Sequence, residues 1–316
     1  MNCLCCGKKI NSENKSGWHV ACIKRFFGTK DFPKIDLTNV NLDSLVVEST
    51  NKGYTIPGVQ KKISLHLNTD NKESRLTLVN YPTGYILKPS VEEFDSMPEA
   101  EHLVMSMADA VNIITVPHAL VLINDTYAYI TKRIDRVINK ENVEKLAMED
   151  FCQLDRKLTK DKYLGSYERC GKIIEKYSIR SKLDLTELFI RVVFCYITGN
   201  SDMHLKNFSL IETSVGNKEY VISPAYDLLP VQVIMPEDKE DCALAINGKK
   251  TNIRKNDFFA LASNLDISKE VAQKLIKQLV DKKNMLLSMC SQSLLPDYMK
   301  ERFANLIEKR CAVLTS

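Results

Sequence analysis

The hydrophobic period of this chain changes once, near Asp135, and that change limits what it can fold into. Upstream, apolar residues alternate. Ile63-Ser-Leu-His-Leu67, Leu76-Thr-Leu-Val79 and the short Gly84-Tyr-Ile-Leu87 read as strands parted by turns at 68–71 and 80–84. His118–Ile123 and Tyr127–Arg133, joined at Asn124-Asp125, read as two more. One helix interrupts them, Pro98 to Val111, with Glu99 and Glu101 in its first turn and Leu103, Met107 and Ala110 on one face. Downstream the spacing is helical over 147–158, 166–177 and 184–198, the last with a cap in Ser181–Asp184. After a short hairpin, Phe208–Glu212 with Tyr220–Ser223, helical spacing returns over about 255–265, 268–290 and 296–313. A β-rich half followed by an α-rich half implies an α+β architecture of two lobes with a cleft between them. We expect a Cys/His module over 1–28, a β-rich lobe over 29–134 and an α-rich lobe over 135–316, with the polar, turn-rich stretch Phe32–Asn51 wrapping a surface.

At 316 residues and 44% hydrophobic, the chain can bury real cores. It has no apolar run long enough to span a membrane and no signal-peptide core, so the expectation is a soluble, cytoplasmic protein without a membrane partner. Cys152, Cys170, Cys195, Cys242, Cys290 and Cys311 stand singly among apolar or helical stretches, the usage of reduced, buried thiols. Net charge is +4. Residues 1–34 hold seven Lys/Arg against Glu13 and Asp31, or +5, so the remainder sums to −1. That imbalance allows an anionic partner for the N-terminal module, with a solvated surface the favoured reading, and the net charge is too small to imply nucleic-acid binding.

The chemistry concentrates in Gly199-Asn-Ser-Asp-Met-His-Leu-Lys-Asn207 and in Ala225-Tyr-Asp-Leu-Leu229. Asp202 and Asn207 stand five apart, and Asp227 follows twenty residues later. A phosphoryl-transfer loop needs this set: one carboxylate to take or orient the hydroxyl proton, then an amide oxygen and a second carboxylate to hold Mg²⁺ on the phosphates. His204 and Lys206 lie in the same loop, where either could meet the γ-phosphate or Asp202; His204 could instead fix the loop. Lys88, ending the strand Tyr85-Ile-Leu-Lys88, can reach α/β-phosphate oxygens, and either Glu99 or Glu101 could pair with it. In Thr55-Ile-Pro-Gly-Val-Gln-Lys-Lys62, Gly58 lets backbone N–H groups approach phosphate while Lys61 or Lys62 adds charge.

At the N-terminus, Cys3, Cys6, His19 and Cys22 form a C-x₂-C-x₁₂-H-x₂-C pattern. Two close ligand pairs parted by a loop are the spacing of a closed structural Zn²⁺ site. Cys5 is left over, a bystander or an alternative ligand. A unit of this size cannot bury enough surface to fold alone, so metal would supply its stability.

Six ordered blocks carry a family resemblance: Pro57-Gly-Val-Gln-Lys-Lys62, Tyr85–Lys88, Pro98-Glu-Ala-Glu-His102, Lys132-Arg-Ile-Asp-Arg136, Gly199–Asn207 and Tyr226-Asp227. The chain resembles the HipA family of bacterial serine/threonine kinases, the toxins of toxin–antitoxin modules, over roughly 50–310. The resemblance implies a bilobal protein-kinase-like fold using ATP and Mg²⁺. Pro57, Gly58, Val59, Gln60, Lys61 and Lys62 would be the phosphate loop, Lys88 the ATP lysine with Glu101 beside it, and Lys132, Arg133 and Ile134 the adenine hinge. Asp202 would be the catalytic acid, with His204, Asn207, Tyr226 and Asp227 completing the nucleotide and metal site. Thr55 falls where the family is switched off by autophosphorylation. With 54 residues ahead of Thr55, the chain is most similar to the short HipT-type kinases, whose extra subdomain is a separate HipS-like subunit. The hinge departs from the family by carrying Lys132 where an acid is frequent.

The resemblance further implies a HipB-like DNA-binding antitoxin, so that DNA is engaged only indirectly, and a protein substrate of the aminoacyl-tRNA synthetase kind. Two other readings keep the loop. One is a nucleotide-binding but inactive module that recruits an antitoxin or DNA; intact Lys88, Asp202, Asn207 and Asp227 weigh against it. The other is a lipid kinase, disfavoured because Glu237, Asp238, Glu240 and Asp241 face Lys239 alone in the segment after Asp227.

Overall fold

The computed structural model describes residues 2–10, 16–35, 62–68, 74–78, 84–139 and 142–316, and alternation in the first half of the chain builds a sheet. Its strands are β1 (Lys34–Ile35), β2 (Ile63–Asn68), β3 (Arg75–Leu78), β4 (Tyr85–Pro89), β5 (His118–Ile123) and β6 (Thr126–Lys132). Among the described residues their order is β1-β3-β2-β4-β6-β5, antiparallel except where β1 meets β3. The segment 57–61 and Thr55 lie outside the described residues, as do 36–54 and both expected turns apart from Asn68 and Gly84; Lys62 is described and exposed.

The chain divides into two compact units, residues 1–102 with 116–142, and residues 103–115 with 143–316. In the first, the sheet register decides which side chains share a face. Leu87 sits opposite both Ile63 and Ile130, and Tyr85 opposite Leu65, so this face is apolar. The opposite face carries Lys88 against Tyr129, and Tyr129 against Leu120. A strand with one apolar face thus presents a single buried lysine on the other.

The N-terminal segment docks on this sheet. Gly28 ends the helix Val20–Phe27 in the left-handed conformation, φ +76°. Trp18 is fully buried among Phe26, Phe27 and Phe32, with ring centroids 5.3–5.4 Å away, and Tyr85 joins through Phe26 and Phe27. Each buried aromatic contributes roughly 1.5–3 kcal/mol by area. Strand β5 is at the sheet edge, and its outward polar groups are met from the same segment. The Leu120 N–H donates to the Leu4 carbonyl at 2.8 Å, and the Trp18 indole N–H donates to the Leu120 carbonyl at 3.0 Å. An edge that would otherwise offer a pairing template is covered.

Strands β7 (Arg136–Asn139) and β8 (Asn142–Lys145), which periodicity did not announce, form a two-stranded sheet. In the second unit the helix Ser181–Thr198 is apolar on most of its circumference and buried accordingly. Around it run the helices Tyr167–Tyr177, Lys255–Asn264, Lys269–Asp281 and Asp297–Thr315. Gly171 permits a close approach, since a Cβ there would lie 2.3 Å from Leu265 Cδ2. Asp184, expected near a cap, is instead buried. It accepts from Ser178 Oγ, Arg180 Nε and the Ile222 N–H at 2.6, 2.9 and 2.7 Å, tying helix to sheet.

Two helical expectations are corrected. Residues 147–158 split into β9 (Met148–Asp150) and a four-residue helix, Phe151–Leu154. Strand β9 pairs with β10 (Ser209–Glu212), which pairs in turn with β11 (Tyr220–Ile222), so tertiary pairing overrides local periodicity. Asp150 then caps the short helix through a reciprocal pair with Gln153. The stretch 268–290 is two helices, Lys269–Asp281 and Lys283–Ser291, broken at Lys282.

Candidate active site

In the first unit, Lys88 Nζ donates to Glu101 Oε1 at 2.5 Å, with the two side chains 3% and 0% exposed. Of the two candidate glutamates, Glu101 is the partner. The ammonium also lies 5.1 Å from the centre of the Tyr129 ring, the neighbour that the β4–β6 register dictates. Next to Glu101, His102 Nδ1 lies 3.0 Å from His118 Nδ1, and His118 stacks on Tyr129. Burial and the neighbouring His118 hold His102 well below the usual imidazole range. Between the two histidines one Nδ1 donates and the other accepts, the roles being set by the tautomers. Sequence reasoning missed them because their pairing depends on register between the helix and β5.

The residues expected at a hinge have prior commitments. Lys132 N–H donates to Pro117 O and Arg133 N–H to Gly84 O, at 2.9 and 2.8 Å. The Arg133 guanidinium forks onto Asp135 at 2.9 and 2.7 Å, and Arg136 adds a contact at 2.5 Å. Burial alone would raise the Asp135 pKa; the two guanidiniums override it and hold the carboxyl below its usual range.

In the second unit the loop starts where the helix Ser181–Thr198 stops. Gly199 takes φ +68°, a conformation that favours glycine, and a Cβ there would lie 2.3 Å from Leu306 Cδ2, so that a larger residue would have to push this side chain aside. The Asp202 N–H donates to Asn200 Oδ1 at 3.2 Å, and Asn207 Nδ2 donates to the Asp202 carbonyl at 2.9 Å. With its nitrogen so used, Asn207 has Oδ1 as the atom it can offer a cation. His204 Nδ1 accepts the Lys206 N–H at 3.3 Å, which puts the ring proton on Nε2, 4.0 Å from Asp202 Oδ1. Lys206 is paired with Asp150 at 3.0 Å. Tyr226 donates to the Lys206 carbonyl at 3.1 Å and shares a 2.6 Å hydrogen bond with Ser209, fastening the loop to β10.

Asp227 adopts φ +55°, a strained conformation that an Asp tolerates better than most residues. Just before it, the Ala225 N–H is anchored on the Ile114 carbonyl at 2.7 Å. The Asp202 side chain is 46% exposed. Partial burial raises its pKa, the Tyr163 hydrogen bond and Lys162 lower it, and the charges of Asp227 and Asp238 raise it again. Tyr163 donates to Asp202 Oδ1 at 2.5 Å and sets its ring edge-on to His204. Nothing in the sequence pattern marks Tyr163, since it lies 39 residues before its partner in an irregular loop.

The Cys3, Cys6, His19 and Cys22 donors gather within 4.8 Å of one another. Tetrahedral Zn²⁺ with bonds of about 2.3 Å to sulfur and 2.0 Å to nitrogen needs sulfur–nitrogen separations of roughly 3.5 Å. Cys6 and Cys22 Sγ lie 3.4 and 3.9 Å from His19 Nδ1. His19 Nε2 donates to the Lys9 carbonyl at 3.1 Å, which fixes the tautomer that leaves the Nδ1 lone pair facing the sulfurs. For Cys3, burial is outweighed by backbone N–H groups of Cys6, Cys5 and His19, bringing the thiol down to about 7. The cluster can hold zinc.

A model of the HipA-like C-terminal domain family matches residues 54–286. A Haemophilus influenzae protein named "Putative kinase" is 26% identical over 289 residues, covering 83% of this chain and 82% of that protein. The Sinorhizobium fredii "Putative kinase Y4mE" is 28% identical over 235 residues, 72% of this chain and 54% of that longer protein. Two solved structures share the fold. HipA from the Shewanella oneidensis complex of HipA, HipB and operator DNA superposes with a TM-score of 0.69 at 15% identity, covering 96% of this chain and 79% of that one. The Helicobacter pylori proinflammatory kinase CtkA superposes at 0.55 with 16% identity, over 79% and 93%. This mixed α/β chain, with kinases among its structural neighbours and among the names of its relatives, belongs to the HipA-like C-terminal domain family.

Proposed function

We propose that the chain is an ATP- and Mg²⁺-dependent serine/threonine protein kinase and the toxin of a toxin–antitoxin module. The observation that carries the reading is the buried Lys88–Glu101 pair at 2.5 Å. A lysine on a strand held by a helical glutamate is the device by which protein kinases keep an ammonium aimed at phosphate oxygens. A surface lysine would have no reason to be 2% exposed.

In this reading, Asp202 orients the acceptor hydroxyl and takes its proton as charge moves onto the phosphoryl group. Asn207 Oδ1 and the Asp227 carboxylate would hold Mg²⁺, whose charge offsets that of the phosphates. Their oxygen donors suit a hard cation. His204, with its proton on Nε2, donates toward Asp202 or a phosphate oxygen, while Lys206 and Tyr226 hold the loop. Because the Lys132 and Arg133 N–H groups are engaged, an adenine edge falls to the hinge carbonyls and to Ile134. The loop from Pro57 to Lys61, with Lys62 after it, would cradle phosphates, and Thr55 would be the autophosphorylated residue.

The partner assignment rests on the HipB and operator DNA bound to the Shewanella HipA. We assign this chain a HipB-like antitoxin, a separate small HipS-like subunit and a translation-related protein substrate. No described helix is long and apolar enough to cross a membrane, in keeping with action in the cytoplasm. The zinc module serves as a cap on β5.

The test is transfer from radiolabelled ATP to the protein itself and to lysate proteins, comparing wild type with Asp202→Ala and Asp227→Ala. Label and growth arrest lost in both variants support the reading; no label in any of the three refutes it. Phosphoproteomics after a pulse of expression then names the substrate.

A further inference from the structure

The phenol of Tyr163 occupies Asp202 Oδ1, one of the two carboxylate oxygens that an acceptor hydroxyl would use. Its oxygen lies 2.5 Å from Oδ1 with the proton directed at the carboxylate, the contact a general base makes with the hydroxyl it serves. The residue is 39% exposed, so the ring can leave without opening the core. Its backbone is held independently of its side chain. The Lys162 carbonyl accepts the Leu205 N–H at 3.2 Å, and the Gly165 carbonyl accepts the Ala245 N–H at 3.3 Å. Besides the Asp202 bond, the ring lies edge-on to His204 at 5.0 Å, with the Lys162 and Lys250 ammoniums 4.8 and 6.0 Å from its centre.

Resting on the reading of Asp202 as the acceptor-side base, we infer that Tyr163 is the resting occupant of the acceptor site, displaced when a substrate serine or threonine hydroxyl binds. It is a positioning residue that sets how tightly an acceptor must bind. The displaced phenol finds water, so exchange is nearly balanced, and the charged hydrogen bond sets the residual bias against substrate. Apparent acceptor affinity is reduced by the fraction of enzyme in which the site is taken.

Tyr163→Phe keeps the ring and removes only the hydroxyl. The probe is a degenerate peptide library with one central serine and no tyrosine, phosphorylated by wild type, Tyr163→Phe and Asp202→Ala with radiolabelled ATP. We expect the half-saturating peptide concentration to fall roughly tenfold in Tyr163→Phe, with the half-saturating ATP concentration and melting temperature unchanged and the maximal rate at least that of wild type. Equal half-saturation in the two enzymes overturns the inference. So does a lower maximal rate at unchanged half-saturation, which would make the phenol a support for Asp202. If wild type transfers no phosphate, or Asp202→Ala transfers as well as wild type, the kinase reading falls and the inference with it. Transfer that depends on Asp202 but ignores the Tyr163 hydroxyl removes the inference alone.

Discussion

Removing one partner of the Lys88–Glu101 pair strands a charge that water cannot reach. At 3% and 0% side-chain exposure, neither group is screened by solvent. Breaking a pair of this kind costs about 3–5 kcal/mol, because the survivor keeps its desolvation penalty without its counter-charge. That is a large part of the roughly 5–15 kcal/mol that holds a domain folded. Replacing both with apolar residues of similar volume is close to neutral. A double-mutant cycle in urea with Lys88→Met, Glu101→Leu and the double variant therefore gives two costly singles and a double far cheaper than their sum, with a coupling energy of at least about 2 kcal/mol. All three lose phosphoryl transfer under the proposed function, the double variant while still folded. Single costs adding within about 0.5 kcal/mol would refute the reasoning, since the pair would then be two independent surface groups.

Other outcomes follow from the same geometry. Purified protein should carry about one zinc by elemental analysis. Cys22→Ala should lose it and expose the Leu120 amide on β5 to hydrogen exchange roughly a hundredfold faster, about 2.7 kcal/mol of lost local protection. Asp135, its folded pKa depressed by Arg133 and Arg136, contributes stability that is complete above the ordinary carboxylate range and lost as pH falls through the folded value. Asp135→Asn should therefore be destabilised at pH 7 and show a shallower loss of stability below about pH 4 in urea titrations. Gly199→Ala forces a side chain to φ +68° and against Leu306, and should cost about 1–3 kcal/mol with reduced transfer activity, because the strain sits at the start of the Asp202 loop.

Strand and helix content was legible where burial on one face left a period in the sequence. The strands at Ile63 and His118 and the helices from Tyr167 and Lys255 follow it. Residues 147–158 do not, because β10 pairs with Met148–Asp150 and converts the start of a helical pattern into an edge strand. The spacing of Cys3, Cys6, His19 and Cys22 foretold a four-donor cluster; that His19 faces it with Nδ1 depends on the Lys9 carbonyl. Glu99 and Glu101 were equal candidates by sequence, since helix orientation against a sheet is not written in a local pattern. Residue types and their spacing are local properties, and by themselves they determined the donor set, the strand and helix periods and the loop that carries Asp202 and Asn207. The choice of Glu101 for Lys88, the His102–His118 contact and the phenol on Asp202 join residues 13, 16 and 39 positions apart. Only tertiary packing decides such contacts, because side-chain direction is set by whichever neighbouring element fills the space around it.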